Sequence, residues 1–462
     1  LVTPKIVPPL DGEFRPAVLF NRQFRFRVGE GGEPLVVAIE RDHGEISRYE
    51  TRVFAADHPG ASANPFYVER LVKFLLWQRG GYRIYIGGAP EIGGHIQRIY
   101  SAAGRRGFDA RFMSRQVYER PFEVIVCSPE EVPPACESGK PLGRHLNGCR
   151  IGFDLGASDR KVSAVQDGRV IYSEEVIWEP KKHVDPSYHD AEIRTMLQTA
   201  AEKLPRVDAI GGSSAGIYIE NRPMVASLFR GISDAQFPQV RDLFINIQRE
   251  MQVPLVIIND GDVTALAGSM SLNENGILGI AMGSSEAAGY VDREGHILGW
   301  LNELAFAPID YSPNAPDEEW SGDRGCGASY LSQQCVFRLA AHSGMELPPT
   351  VTDAEKLALI QQKLEAGNPS AKQIWDTMGI YLGYALAHYA DFYDIRHVLI
   401  LGRCTSGSGG DILLQQAQAV FRAEFPDLFD SIKISLPDEN SRRVGQSIAA
   451  ASLPALLHEE EK

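Results

Sequence analysis

The spacing of apolar residues changes along the chain, and each change predicts a new element. "PAVLFNRQFRFRV" puts Phe24, Phe26 and Val28 at alternate positions, which predicts a strand. "PLVVAIERD" is an apolar run of strand length. "NPFYVERLVKFLLWQRG" predicts a helix with Asn64 as N-cap, Pro65 at the first helical position and a glycine near its end. "YRIYIGGAPEIGGHIQRIYSAAGRRG" reads as strand, glycine loop and helix, and "FEVIVCS" as a further buried strand. "PEEVPPACESGKPLGRHLNGC" is rich in Pro and Gly and predicts a linker.

Beyond the linker the pattern becomes regular. "CRIGFDLG", "RKVSAVQDG" and "RVIYSEEVIW" predict three antiparallel strands. "HDAEIRTMLQTAAEKL" follows as a helix, "VDAIGGSSAG" as strand and turn, "FPQVRDLFINIQREM" as a helix, and "PLVIINDG" as a strand. The order then recurs. "GILGIAMG", "AAGYVDREG" and "HILGWLNELAF" read as three strands, and helices lead to "HVLILGRCTSGSGG", a strand entering a glycine loop. "RRVGQSIAAASLPALL" closes the chain as a helix. Two such βββ-α units predict an internally duplicated α/β protein with a cleft between its lobes. On this reading residues 1–148 form an accessory α/β domain. Residues 149–268 with 442–462 form one lobe, and 269–441 the other.

Composition narrows the function classes. The 462 residues are 44% hydrophobic and 23% charged, ordinary for a soluble globular protein. A net charge of -14 disfavours non-specific binding to nucleic acid or to an acidic membrane. No apolar run approaches the roughly 18 residues of a membrane helix. "LVTPKIVPPL" has neither the basic start nor the apolar core of a secretory signal. Cys127, Cys136, Cys149, Cys326, Cys335 and Cys404 are scattered without a CxxC pair, which fits reduced thiols in a cytoplasmic protein.

Four stretches can carry chemistry. "IGFDLGASDRKVSAVQDGRVI" sets Asp154, Gly156, Ser158 and Lys161 around a tight turn between two strands. Small residues there let backbone N–H groups approach a phosphate, and Ser158 can donate a hydrogen bond. Asp154 can orient Mg2+ through water, and Lys161 can neutralise phosphate charge. A plain hairpin with a solvated lysine explains the same residues. "PLVIINDGDVTALAGSM" puts Asn259 and Asp260 at a strand end before a helix. Asp260 there can take a proton from an attacking hydroxyl, or cap the helix, or both. "KKHVDPSYHDAEI" gathers His183, Asp185, His189 and Asp190, which are metal-capable types but more often solvated or capping. "IGGAPEIGGH", Ile86 to His95, is a glycine-rich turn into a helix that can meet an anion, but it lacks the P-loop and dinucleotide patterns.

The succession "FDLGAS", "SSAGIYIENRP", "INDGDVTALAGSM", "ILGIAMGSSEAAGYVDREGHILGWLNELAF", "DRGCGASYLSQQ" and "VLILGRCTSGSGG" resembles the ROK family. That family holds sugar kinases and sugar-responsive repressors of the actin-like ATPase and hexokinase superfamily. The resemblance runs over roughly residues 150 to 457. It implies a duplicated actin-like ATPase (ribonuclease H-like) two-lobe fold, here with the additional N-terminal α/β domain. It implies ATP and Mg2+ as cofactors, a sugar or polyol as substrate, and a homodimer. Asp154, Gly156 and Ser158 match the first phosphate motif. The spacing to Lys161 also resembles D-x-G-S-x-x-x-K, with Ala157 in place of its Ser. Asn259 and Asp260 match a sugar-binding Asn and the catalytic Asp, Glu303 a sugar-binding Glu, and Gly402 the adenosine motif.

The chain departs from the family in four places. The second phosphate motif, G-T-G-x-G, reads Gly283, Ser284, Ser285, Glu286, Ala287. Glu286 would bring negative charge towards a triphosphate unless it points away. "NELAF" puts Phe306 where the family has a His that binds zinc and sugar. The zinc motif keeps only Cys326, so no structural zinc is expected. Ala328 stands where the family has a sugar-binding Glu. ROK repressors carry a winged helix, whereas this N-terminal region is strand-rich. Its Arg105, Arg106, Arg111 and Arg115 read as a solvated face, so no nucleic-acid partner is expected. Two functions remain: an ATP-dependent sugar kinase with Asp260 as general base, or a degenerate ROK-like protein that binds sugar or nucleotide without turnover.

Overall fold

The computed structural model describes residues 1–137, 139, 142–156, 159–348, 350–437 and 439–456, excepting the side chains of 439–444. The described residues form two compact units. One comprises 1–138, 280–288 and 299–436, and the other 139–279, 289–298 and 437–462. Residues 1–138 therefore pack with 299–436, where the sequence pattern had set 1–148 apart from 269–441.

In the first unit, β1 (Glu33–Glu40), β2 (Ile46–Val53), β3 (Arg83–Gly87) and β4 (Glu123–Cys127) form a sheet in the order β2-β1-β3-β4. The stretch expected as a strand around Phe24 is instead a helix, Ala17–Val28. Its buried residues include Val18, Asn21, Phe24 and Val28, a stripe at helical spacing, while Phe26 is 86% exposed. The Phe24 ring stacks on Tyr67 at 4.0 Å. A second helix runs Asn64–Arg79 with Pro65 in its first turn. Asn64 does not cap it, because its side chain bonds both the N–H and the C=O of Phe54.

That second helix is buried nearly all round, including Glu69, Arg70 and Lys73. Their charges close a network with distant residues. Arg70 grips Asp323 through two nitrogens, at 3.1 and 3.2 Å. Lys73 bonds Asp109 at 3.2 Å and pairs with Asp323 at 3.3 Å. Arg106 pairs with Glu69 and, at 2.7 Å, with Asp323. Arg106 is 2% exposed, so it does not belong to the solvated arginine face expected from the sequence. Buried charges need partners in hand, and three cations meet three carboxylates here.

In the second unit, β5 (Cys149–Leu155), β6 (Asp159–Gln166) and β7 (Arg169–Ile177) run antiparallel. β8 (Ala209–Ser214) and β11 (Leu255–Asn259) join parallel to β5. The order is β11-β8-β5-β6-β7. Between them β9 (Ile217–Ile219) and β10 (Arg222–Val225) make a ribbon. Ile151, Phe153 and Leu155 join one core cluster with Ile193, Leu197 and Phe244. The helix Glu439–Ala451 packs on β5 and β8. It lies so close that a Cβ at Gly211 would run into the Ala450 carbonyl. The helix expected over "FPQVRDLFINIQREM" is broken into Phe237–Arg241 and Leu243–Met251.

A third sheet has the order β13-β12-β14-β15, from β12 (Ile277–Met282), β13 (Glu286–Val291), β14 (His397–Leu401) and β15 (Lys433–Ser435). This repeats the succession β6-β5-β8-β11, so the duplication is visible in the strand order. The expected third strand of this repeat, "HILGWLNELAF", is not a strand. Its Asn302 and Glu303 N–H groups instead bond the Gln78 and Trp77 carbonyls at the end of the helix Asn64–Arg79, which would otherwise lack partners.

Candidate functional site

The parallel strands β5, β8 and β11 end at one sheet edge, and acids collect there. Asp154 lies one residue from the end of β5 and accepts a hydrogen bond from Ser213 Oγ of β8 at 2.7 Å. Lys161 is its register partner on β6, with its ammonium 3.3 Å from Asp159. Gly156 closes the turn, its N–H bonded to the Asp159 carbonyl at 2.9 Å. Trp178 Nε1 donates to the Gly156 carbonyl at 2.9 Å. Ser158 lies outside the described residues.

Asn259 ends β11 and caps the helix Asp260–Leu272, its Oδ1 accepting the Gly261 N–H at 2.7 Å. Its amide nitrogen donates to the Gly216 carbonyl at 2.8 Å. The capping role the sequence left open for Asp260 thus falls to Asn259. Asp260 is half-buried, and burial together with the Asp154 charge pushes its carboxyl up to about 6. Burial also raises Asp154, against the opposing pull of Ser213 and Lys161. A carboxylate titrating near neutrality is suited to exchange protons at physiological pH.

The remaining candidates gather in the first unit. The Gly283–Ser285 turn joins β12 to β13, with Ser284 and Ser285 exposed and the Gly283 N–H bonded to the Ser285 carbonyl at 3.1 Å. Gly402, at φ +102°, fits beside it, since a Cβ there would stand 2.5 Å from the Met282 carbonyl oxygen. Glu286 points inward, 3% exposed, with Tyr389 Oη donating to it at 2.9 Å. Burial, with Glu303 adding to it, pushes this carboxyl up to about 8. It is therefore mainly neutral at pH 7, and the charge expected against a triphosphate is not there. Glu286 shares a face of β13 with Ala288 and Tyr290, and all three are buried.

Phe306 is stacked on Trp77 at 4.2 Å, and Cys326 is buried, its thiol pushed up to about 12 by burial. Ala328 sits in the turn Gly327–Ser329, against whose Gly327 the Glu286 carboxyl packs. In "KKHVDPSYHDAEI" each group has another task. Asp185 caps the helix Pro186–Ala201, His189 bonds the Pro180 and Leu228 carbonyls, Asp190 holds Arg194, and His183 stacks on Tyr188. Among the described residues no three His, Cys, Asp or Glu side chains are grouped to hold a metal. In the turn from Ile86 to His95, the Gly88 N–H is bonded to the Cys127 carbonyl. No helix among the described residues is long and apolar enough to cross a membrane.

No protein-family model and no curated protein sequence matches this chain. Solved structures do. A ROK hexokinase from Thermus thermophilus aligns over 68% of this chain and 100% of its own, at 17% identity and a TM-score of 0.52. A ROK family transcriptional regulator, a homologue of the E. coli MLC protein, aligns over 67% and 78%, at 18% identity and 0.50. A Listeria monocytogenes protein named as a candidate N-acetylmannosamine kinase aligns over 66% and 97%, at 14% identity and 0.51. Together with the repeated strand order, these likenesses show that the chain has the α/β fold of the ROK proteins.

Proposed function

We propose that this protein is an ATP-dependent kinase of a sugar or sugar-like polyol, with Asp260 as its general base. The observation that carries the reading is the carboxylate pair at the edge of β5, β8 and β11. Asp260 is held near neutrality by burial and by Asp154, and no salt bridge among the described residues quenches it. Such a group can accept the proton of a hydroxyl as that oxygen attacks phosphorus. Asn259 keeps one amide hydrogen beyond its bond to Gly216, enough to orient a hydroxyl beside Asp260. Glu303 would accept hydroxyl hydrogen bonds, while Lys161, Gly156 and the Gly283–Ser285 turn with Gly402 would serve nucleotide phosphate and adenosine.

Two raised carboxyls, whose shared negative charge a hard divalent cation would relieve despite the nearby Lys161 ammonium, fit Mg2+, so Asp154 would hold it through water. When bound, magnesium and ATP supply the phosphoryl group and neutralise its charge. The inward, largely neutral Glu286 supports turnover over the binding-only alternative, because that alternative rested on its charge.

The test is magnesium-dependent phosphoryl transfer from ATP to a panel of sugars, wild type beside Asp260→Asn. Asn keeps the shape but cannot take the proton, so the rate should fall by on the order of a hundred- to ten-thousand-fold. Turnover that survives the substitution removes Asp260 from the mechanism. Tight ligand binding without wild-type turnover on any sugar returns the protein to the binding-only reading.

A further inference from the structure

The first unit contains a cavity of about 490 Å³ that none of the candidate kinase residues lines. Its walls include Phe20, Phe66 and Tyr311, three rings set edge to face at 5.2 to 5.6 Å from one another, with Pro313 beside them. Rings in mutual contact leave no slot between them, so they present one continuous aromatic wall on which a flat apolar group can lie. Arg105 and Arg324 stand on its wall, and both also line a neighbouring polar cavity of about 450 Å³.

These two arginines differ from the buried ones. Arg105 is exposed and makes no ion pair among the described residues. Arg324 holds the Pro313 carbonyl at 2.9 Å and an exposed Asp317 at 3.1 Å, a surface pair that contributes little and yields readily. The acids on these walls are already satisfied. Asp323 faces Arg70, Lys73 and Arg106. Asp310 receives the N–H groups of Arg15 and Ser312 and the Tyr330 hydroxyl. An aromatic wall alone would suit a cation, but the arginines beside it exclude one.

We infer that this cavity is a second ligand site, for a small aromatic carboxylate whose ring lies against the Phe20–Phe66–Tyr311 wall and whose anion lies between Arg105 and Arg324. Arginine forks match a carboxylate in two-point geometry, and the wall shared by the two cavities offers two of them. The site is independent of the kinase reading, since it shares no residue with it.

Calorimetry on the full chain tests this with naphthoate, neutral naphthylmethanol and cationic naphthylmethylammonium. Naphthoate should bind saturably and one to one, the alcohol at least about tenfold more weakly, and the cation not at all. The double variant Arg105→Gln/Arg324→Gln should weaken naphthoate by about tenfold or more and leave the alcohol unchanged. Phe66→Leu should weaken both neutral and anionic probes. Asp260→Asn should leave naphthoate affinity intact. Melting curves establish that each variant is folded, and Arg105→Gln alone, on an exposed side chain, is the fallback. No saturable naphthoate binding, equal affinity in the arginine variant, or loss on Asp260→Asn each overturns the inference.

Discussion

Two groups of charges in this molecule behave in opposite ways. In the first unit, Asp323 meets Lys73, Arg70 and Arg106. Burial alone would raise its carboxyl, but these cations hold it far below the usual carboxylate range. In the second unit, Lys161 pulls Asp154 down, no cation among the described residues does so for Asp260, and both carboxyls are pushed up. The first arrangement is complete and joins distant segments of one unit. The second leaves a surplus of negative charge, which is poor for stability and useful for moving protons or holding a cation. Sequence treats these aspartates alike, and only their neighbours separate a brace from a reactive group.

The largest expected stability effect breaks the complete arrangement. Asp323→Ala leaves three buried cations facing two carboxylates. It should lower stability by about 3–5 kcal/mol, read from denaturant unfolding at pH 7. A change below about 1 kcal/mol would mean the network is solvated and the contrast is false.

The next effect has the opposite sign. The folded carboxyl of Asp260, at about 6, lies above its unfolded value of about 3.9, so the folded state binds the proton more tightly. Ionising it therefore lowers stability as pH rises from about 4 through about 6. Asp260→Asn should then raise stability by up to about 3 kcal/mol at pH 8 and by little at pH 4, while activity is lost. For Asp323 the order reverses: its stabilisation is present above about 3.9 and is lost only as pH falls through its depressed folded value. Unfolding curves at both pH values check the two signs together.

The smallest effect sharpens the second arrangement. Lys161→Gln removes the cation beside Asp154. It should move the acid limb of the pH–rate profile upward, as a property of the carboxylate pair. The proposed phosphate role of Lys161 would show separately, as a weaker apparent affinity for ATP, and a large drop in rate on the alkaline plateau at saturating ATP would extend that role to the chemical step.

Much of this fold was legible because strand runs and turns recur along the chain. The stretches around Cys149, Ala209 and Leu255, and later Ile277 and His397, became strands in matching succession. The helix Ala17–Val28 was misread because Phe24, Phe26 and Val28 alternate by chance, while the Val18, Asn21, Phe24 and Val28 stripe carries the burial. Asp154 and Asp260 were legible as strand-end acids. Their mutual influence was not, since it depends on β8 lying between them with Ser213. The buried role of Arg106 left no local trace, because its partner Asp323 is more than two hundred positions away.

The helix Glu439–Ala451 has a consequence for how the protein is made. Arg150 on β5 bonds the carbonyl of Pro454 at 2.7 Å, across a sequence separation of 304 residues. At synthesis rates of roughly 5 to 20 residues per second that interval is on the order of 15 to 60 s. Throughout it, the glycine-bearing face of β5 and β8 lacks its covering helix. The first unit is delayed in the same way, because Arg70 must wait for Asp323. Neither unit can finish folding before the other has begun to emerge. Nascent chains of this protein should therefore need protection by chaperones for longer than a molecule whose domains are consecutive in sequence.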